Sequence, residues 1–147
     1  MRIRELSSDQ CLEFLSRMTL GHLGCARAGQ PYVVPIHFSC DAERNCLYGF
    51  SAVGQKITWM RDNPQVCLEV ADITDKDRWT TVLVFGRFEE VEDDADARQR
   101  VWDRLQDRPE WWLPATGKTG SHESHAALVY RIKIKELTGR SASRSRT

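Results

Sequence analysis

The sequence predicts a mainly β domain with some helix (α+β): a small antiparallel Greek-key barrel of six or seven strands, with two or three flanking helices. Three observations predict it. Stretches of period-two alternation recur along the chain, bounded by turn residues. The last of them is the cleanest, with Leu128, Tyr130, Ile132 and Ile134 on one face and Arg131, Lys133 and Lys135 on the other. Helical apolar stripes occur in only two or three places, and no strand–helix–strand alternation appears, which disfavours a doubly wound parallel sheet. At 147 residues the chain is the size of one domain, assigned to 1–140 with a basic, Ser-rich tail at 141–147.

Taken in order, Ser7 and Gln10 form a capping box, and Leu12, Leu15 and Met18 follow at three-residue spacing, so 8–17 is a helix. Residues 20–27 form a first strand whose glycines imply curvature or close packing. Ala28-Gly29-Gln30-Pro31 is a tight turn into a second strand, giving a hairpin. Pro35 cannot donate to a ladder, which fits an edge position or a bulge. A polar turn at 41–45 precedes a strand over 46–50. Ile57 to Met60 is helical, and Asn63-Pro64 stops it. Residues 66–71 are extended, 72–78 are a charged loop, and 80–91 form a long strand. In that strand Val82, Val84, Gly86 and Phe88 alternate with Thr81, Leu83, Phe85 and Arg87; apolar residues on both faces predict cover on both. Gly86 predicts a bend there. An acidic start and the stripe Ala97, Val101, Trp102, Leu105 make 93–106 a helix.

Composition excludes several classes of function. Lys plus Arg equals Asp plus Glu at 21 each, so no basic field attracts nucleic acid. No apolar run of about 18 residues exists to span a membrane. The start lacks the apolar core of a secretory signal, and the expectation is a cytoplasmic protein. The five cysteines form no C-x-x-C pair and are read as small core residues of a reducing compartment. No metal set is assigned. His22 and Cys25 point to opposite faces of a strand, His122 and His125 have no identifiable partners, and His22 is read as a structural strand residue.

The stretch that carries chemistry is 30–70. Ser51-Ala52-Val53-Gly54-Gln55-Lys56 places a hydroxyl, a glycine and a lysine at the start of a helix. Unpaired N–H groups plus the charge of Lys56 make an anion seat. The motif is weak alone, since an ordinary polar loop with a solvated lysine reads the same way. It is not a P-loop, which needs two glycines and a hydroxyl residue after the lysine.

The wording of the whole segment, VVPIHF, LYGFS and GQKITWMRDNPQVCLEV, followed by Trp79-Thr80-Thr81-Val82-Leu83-Val84-Phe85-Gly86-Arg87, resembles the pyridoxamine 5′-phosphate oxidase-related split-barrel flavoproteins. The branch it resembles includes nitroimidazole-resistance-type reductases. The resemblance implies a split barrel that binds FMN, with deazaflavin F420 as the alternative cofactor. It implies a phosphate site at Ser51, Gly54, Gln55 and Lys56, and a ring bed at Val34, Pro35, Ile36 and His37. Trp79 and Thr81 fall at the ring edge. A homodimer with flavin between subunits follows, the Trp111-Trp112 segment walling the partner's site. The implied activity is reduction of a small organic acceptor, nitroaromatic or quinone, with NAD(P)H as donor; a non-catalytic flavin binder is the other reading. Two departures argue against vitamin B6 phosphate as substrate. His37 stands where more cationic character is expected, and 137–141 reads Leu-Thr-Gly-Arg-Ser instead of a basic motif. No acid–base pair in the sequence names a catalytic residue.

Overall fold

A computed structural model describes residues 1–91, 95–106 and 128–144. The Trp111-Trp112 segment, His122, His125 and the last three residues, all singled out above, lie outside the described residues. Eight strands and three helices follow in the order β1 (Arg2–Glu5), α1 (Ser8–Arg17), β2 (Leu20–Arg27), β3 (Gln30–His37), β4 (Ser39–Asp41), β5 (Cys46–Ser51), α2 (Gln55–Asp62), β6 (Gln65–Asp75), β7 (Arg78–Glu90), α3 (Ala95–Gln106) and β8 (Leu128–Ser143). The α+β split-barrel class is as expected. The short strands β1 and β4 bring the number of strands in the described residues to eight.

The strands form one antiparallel sheet in the order β3-β2-β6-β7-β8-β5-β4, with β1 added against β8. Three tight hairpins, β2–β3, β4–β5 and β6–β7, supply the local pairs. The chain then crosses through α2 from β5 to β6, past β7 and β8, which is the Greek-key step. Ala28 and Gly29 both take positive φ, 50° and 80°, the two-residue turn that matches strand twist. Gln30 and Pro31 already belong to β3, so the turn is shorter than the sequence reading. Of the two positions that Pro35 fits, β3 takes the edge and ends the strand order.

The core lies inside the curved sheet. Leu23, Leu68, Val70, Val82, Val84 and Ile132 are fully buried there, with Ile57 and Met60 from α2 and Leu15 from α1. Ser7 caps α1 as the sequence predicts: its hydroxyl accepts from the Gln10 amide and the Gln10 side chain accepts from the Ser7 amide. Asn63 ends α2 by donating its amide to the Trp59 carbonyl. A second cluster of Cys46, Tyr48, Phe50 and Val129 packs under Ala97 and Val101 of α3.

Three expectations need correction. The charged segment at 72–78 is a hairpin, because backbone pairing runs to Asp75↔Arg78 and only Lys76 and Asp77 turn. The strand β8 continues through Ser143, where it pairs with Arg2, so 141–143 belong to the sheet and not to a tail. Among the described residues the long strand β7 is covered on one face only. Val82 and Val84 are fully buried, whereas Leu83 and Phe85 are 40% and 44% exposed. At Gly86 the register shifts against β8; an added Cβ would sit 2.5 Å from the Lys133 carbonyl oxygen. All five cysteines are free thiols and four are buried. Among the described residues no helix is long and apolar enough to cross a membrane.

Candidate functional site

The phosphate seat read from the sequence is built where β5 meets α2. Gly54 is the N-cap of α2 in an extended conformation and gives the helix no side-chain cap. The first turn carries no acidic residue. Among the described residues no side chain caps the leading N–H groups of α2, and no first-turn carboxylate opposes their partial positive charge. Gly54 and Gln55 are exposed, and Lys56 is half-buried beside them. Burial pulls the Lys56 ammonium below the ordinary lysine range. Lys56 makes no ion pair among the described residues. Ser51 is buried, and its hydroxyl donates to the Ala52 carbonyl at 2.7 Å, which shapes the loop.

The expected ring bed splits by strand alternation. Val34 and Ile36 face the core, whereas Pro35 and His37 face outward. His37 is half-buried; burial lowers its pKa, and a hydrogen bond with the Thr19 backbone opposes that shift. The helix α2 docks beside this strand. Trp59 packs against Tyr32 with ring centroids 5.4 Å apart, and the Asn63 amide nitrogen donates to the Ala26 carbonyl.

Trp79 and Thr81 stand elsewhere. They lie on β7, separated from β3 by β2 and β6 in the sheet, roughly 14 Å at ordinary strand spacing. Thr81 shares a depression of about 550 Å³ with Glu5, Leu83, Thr138 and Arg140. Within one copy, α2 thus meets the first half of β3 through Trp59 and Tyr32, and the ring-edge residues lie three strands away from β3.

The sequence reading missed the outer face that joins these places. Register sets its rows. Ile3, Ala142, Trp79 and Ile73 are paired across β1, β8, β7 and β6. Thr138, Leu83, Glu69, His22 and Pro35 are paired from β8 to β3. The next row holds Phe85, Cys67, Gly24 and Val33. Six of the eight large hydrophobics exposed among the described residues lie on this face: Ile3, Leu20, Val33, Ile73, Leu83 and Phe85. The signal available was the apolar content of both faces of β7, which alternation alone cannot assign to a particular cover.

The family model of pyridoxamine 5′-phosphate oxidase matches residues 7–141. The chain belongs to that family. A Rhizobium meliloti protein of uncharacterized function is 35% identical over 97% of each chain. The crystal structure of a FAD-binding protein from Mesorhizobium loti superposes with a TM-score of 0.82 and 36% identity, over 97% of this chain and 100% of the other. The FAD binding protein of Mycobacterium smegmatis, at 22% identity and a TM-score of 0.67, covers 93% of this chain and 98% of its own, and supports the fold. Family membership thus agrees with the architecture built above from strand order and register.

Proposed function

We propose that this member of the pyridoxamine 5′-phosphate oxidase family binds FMN between two copies of the chain and serves as an oxidoreductase for a small organic acceptor, with NAD(P)H as electron donor. The observation that carries the reading is the uncapped, acid-free N-terminus of α2 with half-buried Lys56 beside it. That donor set fits a phosphate monoester: helix amides supply directed N–H groups and Lys56 a full charge. When bound, flavin supplies the two-electron redox chemistry, and the protein holds it and excludes water. Lys56 and the amides of Gln55 and Lys56 hold the phosphate. The exposed rim at Pro35 and His37 offers the ring an apolar contact and a polar edge. Trp79 and Thr81 of the second copy complete the edge, a reading supported by their separation from β3 within one copy. The exposed apolar outer face is the surface the second copy covers. Binding of FAD by the Mesorhizobium relative supports a flavin cofactor.

The test is an absorbance spectrum of the purified native protein, followed by denaturation and identification of the released ligand. Flavin bands that survive gel filtration with a particle of dimer size, and released FMN, are expected. A colourless protein that fails to take up added FMN overturns the reading.

A further inference from the structure

His22 and Glu69 project from β2 and β6 onto the outer face, with Nδ1 3.4 Å from Oε1. Both are about half exposed and neither holds the core. The sequence reading made His22 a structural strand residue; register makes it the direct partner of Pro35 on one side and of Glu69 on the other. A carboxylate at Nδ1 fixes the orientation and tautomer of an imidazole and leaves Nε2 to act.

One row along, on the outer face that the second copy would roof, lies a groove of about 740 Å³, within the size range of small-molecule sites. Gly24 and Cys67 floor it, Val33 and Phe85 wall it, and Arg87 and Lys135 line its β7–β8 side. The floor is low because position 24 carries no side chain: a Cβ there would lie 2.7 Å from Cys67 Sγ. Arg87 and Lys135 make no ion pair among the described residues, so they are available to electron-rich oxygens. Apolar walls, a flat floor and two cations fit a planar apolar molecule that carries quinone, nitro or carboxylate oxygens.

The geometry points to this groove as the seat of the electron acceptor, and to His22, held by Glu69, as the group that protonates the acceptor oxygen during reduction. This rests on the flavin reading above and adds the acceptor's site and proton donor to it. For a quinone, two electrons and one proton arrive as hydride from the reduced flavin, and the second proton comes from His22 Nε2. The quinone becomes a hydroquinone, and the neutral imidazole regains its proton from solvent.

The experiment compares wild type with His22→Gln, Glu69→Gln and His37→Gln. His37 is the diagonal neighbour of His22 and titrates; Glu69 faces His22 from β6, while Pro35 and Leu83 in the same row are uncharged. Circular dichroism and FMN affinity of His22→Gln should match wild type. Turnover of para-benzoquinone should fall about 100-fold in His22→Gln, in the range for loss of a general acid, with less loss in Glu69→Gln. Benzoate, a planar oxyanion, gives a readout apart from activity. Its affinity, with or without flavin, should weaken in His22→Gln and stay at the wild-type value in His37→Gln. Wild-type turnover in His22→Gln, or wild-type benzoate affinity in His22→Gln, overturns the proposal. Failure of wild type to take up FMN defeats the flavin reading separately, and the benzoate titration of flavin-free protein then decides the groove and the dyad.

Discussion

Lys56→Met separates binding from stability. The substitution keeps an unbranched apolar stem of similar reach and deletes the charge. Removal of a charge-assisted hydrogen bond to a phosphate costs about 1.5–3 kcal/mol, or roughly 10- to 150-fold in Kd. Fold stability should move the other way. Burial lowers the Lys56 pKa in the native state, so the unfolded chain binds its proton more tightly and the charged lysine costs native stability at neutral pH. That cost is relieved as pH rises through the folded pKa, which lies below the ordinary lysine value of about 10.4. Lys56→Met should therefore hold or raise the urea midpoint at pH 7 and flatten the alkaline part of the stability profile. Riboflavin supplies the control because it lacks the phosphate. Fluorescence-quenching titrations should show the loss for FMN and none for riboflavin. Equal weakening of both ligands, or a lower urea midpoint, refutes the argument that Lys56 is a phosphate-binding charge.

Other perturbations test the surrounding architecture. Phe85→Lys puts a charge into the exposed apolar face, and sedimentation should show a monomer with unchanged circular dichroism and weakened FMN binding; a persistent dimer argues against that face as the contact. Gly86→Ala sets a methyl against the Lys133 carbonyl, a backbone atom that cannot swing aside, and should lower stability by about 1–3 kcal/mol in urea unfolding. Asp41 is 3% exposed, and its carboxylate accepts from the Arg44 amide and guanidinium at 3.2 Å. Asp41→Ala should cost about 1–3 kcal/mol by leaving those donors unmatched, measured by the same unfolding assay.

Much of the fold was legible because local chemistry decided it. The Ser7–Gln10 box, the Asn63-Pro64 stop and the alternation in β8 each state their structure within a few residues. Pro35 pointed to an edge strand or a bulge through its missing donor. The unread parts depend on distant pairing. The stretch at 72–75 is polar, yet its backbone closes a ladder with β7, since exposed faces accept charge. The segment Gly139 to Ser143 has no clear apolar period; β1 and β7 on its two sides hold it in the sheet. Within the site, the phosphate seat is a contiguous motif and was readable as such. The His22–Glu69 pair joins positions far apart in sequence, and only the β2–β6 register brings them into contact. Single-chain alternation also could not tell which face of β7 would lie bare.

The pairing pattern of β8 bears on how the molecule is made. This strand pairs with β7, β5 and β1. Before it emerges from the ribosome, the β3-β2-β6-β7 half and the β4–β5 hairpin have no strand between them. Both sides wait with open edges, and such edges invite pairing with other chains. Chaperone dependence during synthesis should therefore rise until the segment encoding β8 is out, and a ribosome stalled just upstream of Leu128 should carry a nascent chain that is readily cut by protease.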